Sequence, residues 1–138
     1  MIEETCGGDP PCWAHLFDDD TSPSGDSPVV NLASITSATD GQGALWTRAS
    51  DDLNVNLLAF PEGEGVDEHV NTEVDVLIIG IAGVGVITVD GEPRPIREGH
   101  LLLVPKGARR STRALSDRFA YLTSHRRRPG LWPAIGDQ

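Results

Sequence analysis

Two thiols and an imidazole crowd the start of this sequence, in Cys6-Gly7-Gly8-Asp9-Pro10-Pro11-Cys12-Trp13-Ala14-His15. Thiolate sulfur and imidazole nitrogen are good ligands for zinc or copper, so Cys6, Cys12 and His15 are candidate metal ligands. Their C-x5-C-x2-H spacing is not a standard structural zinc pattern, and a fourth ligand would have to come from Asp9, Asp18, water or a second subunit. Two other readings stay open. A Cys6–Cys12 disulfide is sterically allowed, although a reducing cytosol would not maintain it. The simplest reading is an arm whose Cys12, Trp13, Leu16 and Phe17 pack on the rest of the protein or on a neighbouring subunit. A second chemistry lies towards the other end. Arg109, Arg110, Arg113, Arg126, Arg127 and Arg128 carry guanidinium forks, which read carboxylates and phosphates through paired N–H donors, and they suggest a local anion site.

A chain of 138 residues, 38% hydrophobic and 23% charged, supports one soluble domain with one core. The net charge of −10 is unevenly spread: residues 1–47 hold no Lys or Arg. Apart from Arg48 and Lys106, every basic residue is an arginine between Arg94 and Arg128. A duplex-binding surface needs a positive face, so the overall sign argues against nucleic acid. No apolar run approaches the roughly 20 residues of a membrane helix, and Glu3 and Glu4 do not suit a secretory leader. The expectation is a cytoplasmic protein with neither a nucleic-acid nor a membrane partner.

Residues 1–28 read as a flexible, acidic arm rich in Pro, Gly, Ser and Asp, with one or two helical turns around Trp13, Leu16 and Phe17. Residues 29–128 read as short strands separated by turns. The strands expected are 29–33, 44–48, 53–60, 74–81, 84–89, 101–104, 109–114 and 119–125. In 53–60 the alternation puts Leu53, Val55, Leu57 and Ala59 on one side. Asp90-Gly91 signals a two-residue hairpin, because a type I′ turn needs positive φ at both central residues. Pro105-Lys106-Gly107 signals a type II-like turn. About nine short strands and no long helix indicate an all-β antiparallel sandwich or barrel.

Two segments carry a resemblance to a known family. The first is Gly63-Glu64-Gly65-Val66-Asp67-Glu68-His69-Val70-Asn71-Thr72-Glu73-Val74-Asp75, followed by an apolar run to Gly80, Gly83 and Gly85. The second is Gly99-His100-Leu101-Leu102-Leu103-Val104-Pro105-Lys106-Gly107-Ala108-Arg109-Arg110. Their spacing resembles the two motifs of the cupin superfamily, G-x5-H-x-H-x3,4-E-x6-G and G-x5-P-x-G-x2-H-x3-N, over residues 44–125. The resemblance implies a cupin-type antiparallel β-barrel, a double-stranded β-helix or jelly roll, with a short N-terminal arm. It implies little about activity, because the superfamily hosts many chemistries.

In the metal-dependent cupins three histidines and one carboxylate bind a divalent transition metal inside the barrel, the one cofactor the resemblance implies. Carried over, the first histidine is His69, the second position is Asn71, the carboxylate is Asp75 with Glu73 beside it, and the last histidine position is Arg110. Arg has no lone pair to give a metal, and its charge repels a dication. The standard site is therefore degenerate, with His69 and Asp75 as its remaining candidate ligands. His100 belongs at the barrel mouth or surface, and His125 could supply another imidazole if it faces inward. An inward Arg110 would need a carboxylate such as Glu73 or Asp75, or an anionic ligand. The expected site is thus His69, Glu73 and Arg110 for proton transfer, with Asn71, Asp75, Arg110 and His125 binding a small, anionic organic molecule. A non-catalytic sensing module or a structural barrel are the alternatives. Residues 129–138, with Leu131, Trp132 and Ile135, form an apolar tail that, with Trp13 and Phe17, suggests a homodimer contact.

Overall fold

β-Branched and alternating segments become strands here wherever the turn residues between them let the chain reverse. The computed structural model describes residues 27–127. They form α1 (Leu32–Ala38), β1 (Gly43–Ala49), β2 (Leu53–Pro61), β3 (Gly65–Val70), β4 (Val76–Ala82), β5 (Val84–Val89), β6 (Glu92–Arg97), β7 (Leu101–Val104), β8 (Arg109–Ala114) and β9 (Arg118–Arg126). One antiparallel sheet has the order β1-β2-β9-β4-β7 and the other β3-β8-β5-β6. Two such sheets facing each other make the all-β jelly-roll barrel expected. The cysteine arm, with Cys6, Cys12 and His15, and the apolar tail expected to make a subunit contact lie outside the described residues.

The turn chemistry matches the sequence. Asp90 and Gly91 have φ of 51° and 84°, the two left-handed residues of a type I′ hairpin between β5 and β6. The Ala108 N–H donates to the Pro105 carbonyl at 3.2 Å, and Gly107 has φ 89°, which closes a type II turn before β8.

Three elements differ from the expectation, and one is β3, a strand at Gly65–Val70 that the expected strands did not include. Residues 29–33 were expected as a strand, but the chain turns into α1 instead. Asn31 causes this: its side chain accepts from the Ser34 N–H at 3.0 Å, capping the first turn. β6 was not expected, because Pro93 and Pro95 interrupt it. It lies at the edge of its sheet, where a missing N–H costs no ladder bond.

The core fills the space between the sheets. Phe60, Val76, Ile78, Ile87, Val104 and Phe119 are buried there. The Phe119 ring stacks on Tyr121 with centroids 5.1 Å apart, and Phe60 lies 6.3 Å from Tyr121. Gly85 makes room for this group, since a Cβ at that position would come within 2.2 Å of the Phe119 ring. The opposite face of the larger sheet is also apolar, and Leu57, Ala59 and Ala120 are fully buried on it. Helix α1 contacts β1 and β4. The Arg118 side chain donates to Thr36 O at 3.0 Å and Gly41 O at 3.1 Å, tying the helix and the loop after it to β9.

Candidate functional site

Strand register assigns each polar side chain to a face. On β8, Thr112 stands opposite the core residue Ile87, and Ala114 belongs to the same core. Alternation therefore turns Arg110, Thr112 and Ala114 towards the barrel interior. On β9 the core residues Phe119 and Tyr121 fix the inner face, which continues through Thr123 and His125. On β2, Phe60 and Leu58 pair with Phe119 and Tyr121, and the same face continues through Asn56 and Asn54, the partners of Thr123 and His125.

The two walls meet at Thr112 and Tyr121, whose side chains hydrogen-bond across the barrel. Tyr121 is 3% exposed, and burial raises its pKa to about 12, an increase the Thr112 bond partly offsets. It is therefore a neutral hydroxyl at any ordinary pH. Arg110 and Thr123 each lie two residues farther from the β8–β9 connection than this pair. They stand at the same end of the barrel, one on each wall. Phe60, Phe119 and Ala114 lie towards the other end. Arg110, Asn56 and Thr123 thus bring polar groups to this end of the barrel, beside the core residues Val76 and Ile78.

Arg110 is 7% exposed. Its Nε donates to Ala108 O at 3.3 Å and its Nη2 to Pro105 O at 3.5 Å, the second at the limit of a hydrogen bond. Burial lowers its pKa from the usual arginine value. The ion pairs formed among the described residues, Arg94–Glu92 at 3.8 Å and Arg109–Glu68 at 3.2 Å, leave Arg110 out.

His69 is the cross-strand partner of Arg110, so the two side chains leave their strands on the same side. β3 lies at the sheet edge, and His69 is exposed there. Its Nδ1 sits 2.9 Å from Asp67 O. A carbonyl only accepts, so Nδ1 carries the proton and Nε2 presents the lone pair. The same logic applies to His125, whose Nδ1 lies 3.0 Å from Arg126 O.

No protein-family profile matches this sequence. Similar solved structures include a cupin protein from Bacteroides fragilis, 26% identical with a TM-score of 0.52, covering 58% of this chain and 70% of that one. A cupin-2 domain protein from Shewanella frigidimarina is 16% identical with a TM-score of 0.60, covering 72% of this chain and 95% of that one. The chain has the cupin fold. A curated relative, the dimethylsulfoniopropionate lyase DddW of Ruegeria pomeroyi, is 33% identical over 75 residues, 53% of this chain and 49% of that protein. The chain thus spans about half the length of that relative.

The remaining positions of the metal pattern do other work in this chain. Asn71 Oδ1 accepts from the N–H groups of Glu73 at 2.9 Å and Val74 at 3.2 Å. Asp75 is exposed, and its Oδ1 accepts from the Lys106 N–H at 2.8 Å. Gly107 N–H adds a bond to Asn71 O at 2.7 Å. Together these brace the β3–β4 loop against the β7–β8 turn. Glu73 is an exposed residue of that loop. Among the described residues no three His, Cys, Asp or Glu side chains gather closely enough to hold a metal. With a guanidinium at the fourth corner, the donor set does not fit the metal of the family pattern.

The arginine-rich segment is dispersed rather than pooled. Arg109 pairs with Glu68, Arg113 donates to Gly63 O at 2.8 Å, and Arg127 donates to Ser50 O at 2.8 Å. Arg128 lies outside the described residues. The residues that sequence reasoning missed are Asn56, Thr112, Tyr121 and Thr123. Alternation carried part of the signal. If Leu53, Val55 and Leu57 share one side of β2, Asn54 and Asn56 share the other, and polar residues alternate onto a face that continues into Leu58 and Phe60.

Proposed function

We propose that this chain binds a small organic anion at the Arg110–Thr123 end of its barrel, with Arg110 as the anion's partner. The observation that supports this most is the buried guanidinium, whose partners among the described residues are backbone carbonyls. A cation removed from water costs several kcal/mol, roughly, unless an opposite charge meets it. Asp75 is committed to the Lys106 N–H, and among the described residues no carboxylate forms an ion pair with Arg110. A carboxylate accepts a bidentate pair of N–H bonds from such a fork. The substrate named for the lyase DddW is a propionate, which is consistent with a carboxylate ligand.

His69 adds a proton acceptor across the ladder from Arg110, and its Nε2 is the atom that would receive a proton from the bound acid. This supports proton-transfer chemistry. Binding without turnover is the alternative, and it uses the same Arg110 contact.

The test is calorimetric titration with a panel of small mono- and dicarboxylates and inorganic phosphate. At least one carboxylate is expected to bind the wild-type protein and to lose roughly tenfold or more in affinity in Arg110→Met, the value of a charge-assisted hydrogen bond. Binding that survives the substitution unchanged, or no binding by any anion, overturns the proposal.

A further inference from the structure

On the wall facing Arg110, the Asn56 side-chain N–H donates to the Thr123 hydroxyl at 3.3 Å. Both residues are half-buried, and both lie on the inner face by register. One N–H of the amide and one lone pair of the hydroxyl are used in this bond. What is left is specific: the Thr123 O–H proton as a donor, and the Asn56 Oδ1 lone pairs as acceptors, with the second amide N–H beside them. No other hydrogen bond to either side chain forms among the described residues.

We infer that the Asn56–Thr123 pair reads a hydroxyl group of the ligand, making the ligand a small hydroxy acid with its carboxylate on Arg110. This rests on the anion-binding reading of Arg110. A hydroxyl both accepts and donates, so it satisfies Thr123 O–H and Asn56 Oδ1 together. A keto oxygen only accepts and leaves Oδ1 unmatched, and a methylene matches neither. Facing sheets lie about 10 Å apart, and side chains projecting from both walls shorten the span a ligand must bridge. Only a few bonds can separate the carboxylate from the hydroxyl. Thr123 and Asn56 are thus specificity-determining residues, whereas Arg110 supplies affinity for any acid of this size.

The experiment titrates matched acids, malate against succinate and lactate against pyruvate and propionate, into the wild-type protein, Thr123→Val, Thr123→Ser, Asn56→Leu and Arg110→Met. The hydroxy acid is expected to bind the wild type at least roughly tenfold tighter than its unsubstituted counterpart, as a site with hydrogen-bonding groups rejects the analogue that lacks them. Thr123→Val and Asn56→Leu should bring the pair to parity by weakening the hydroxy acid alone, and Thr123→Ser should keep the preference. Arg110→Met should weaken both acids alike. If the wild type shows no preference, or keeps it in Thr123→Val and Asn56→Leu, the inference fails while the Arg110 reading stands. If Arg110→Met weakens neither acid, or no acid binds at all, the anion reading falls and this inference with it.

Discussion

His69 stands directly opposite Arg110 in the β3–β8 ladder because β3 holds one extra residue between Val66 and His69. Val66 pairs with Thr112, and three steps along β3 then cover two along β8. In a regular ladder Glu68 would oppose Arg110, and His69 would turn to the outer face. The bulge exchanges them. Glu68 instead reaches Arg109 on the outside, at 3.2 Å. The inward guanidinium is left for something other than a neighbouring carboxylate.

Deleting Asp67 should remove the bulge and leave Glu68 opposite Ser111, with His69 still opposite Arg110. The deletion variant is expected to fold, with an unchanged far-ultraviolet circular dichroism spectrum, and to keep anion binding. Loss of anion binding in a folded variant would show that the bulged geometry itself, and not the inward placing of Arg110 beside His69, controls the site.

Arg110 places a charge in the barrel wall with no anionic partner among the described residues, so replacing it should relieve a cost. Arg110→Met is expected to leave unliganded stability unchanged or raise it by about 1 kcal/mol, as found when buried charges give way to apolar groups of similar volume. Chemical denaturation checks this. A loss of several kcal/mol would show that the guanidinium holds the fold together. His69 is exposed, and His69→Gln should shift stability by less than about 0.5 kcal/mol.

Tyr121 is the chain's one tyrosine, so tyrosinate absorbance reports on it alone. Its folded pKa is about 12, above the roughly 10 of an unfolded chain. A raised acid pKa means the folded state holds the proton more tightly. The stabilising contribution is complete below about pH 10 and falls away as pH rises towards about 12. The absorbance midpoint should therefore be well above that of the denatured protein, and Tyr121→Phe should flatten the alkaline decline in stability. A folded-state midpoint near 10 would mean that the hydroxyl is solvated.

Gly85→Ala places a methyl against the Phe119 ring, where a Cβ would come within 2.2 Å. Overpacking of this kind typically costs about 1–3 kcal/mol. Denaturation should show a loss of that size, and a neutral result would mean that the aromatic group shifts freely.

Much of the architecture was legible in the sequence because it depends on local chemistry. Asp90-Gly91 and Pro105-Lys106-Gly107 set their turns with little tertiary help, and the β-branched runs of β4 and β5 suit a buried strand surface. Asn31 was harder, since a cap three residues into an apolar stretch outweighs the strand character of Val29 and Val30. The prolines of β6 hid a strand that is allowed only at an edge. For the site, counting from Gly99 reached Arg110, which lies on the inner wall. Asn71 and Asp75 stand at ligand positions by count, but their oxygens hold rim backbone N–H groups, a matter of loop conformation that spacing does not encode. Asn56 and Thr123 are 67 residues apart, and only the β2–β9 register brings them together.

The most direct measurement is a crystal structure of the protein soaked with a small hydroxy acid. The expected result is a carboxylate within about 3 Å of the Arg110 guanidinium nitrogens, at the barrel mouth between β8 and β9. An acid bound elsewhere, or an Arg110 side chain turned away from a ligand that fills the barrel, would contradict it.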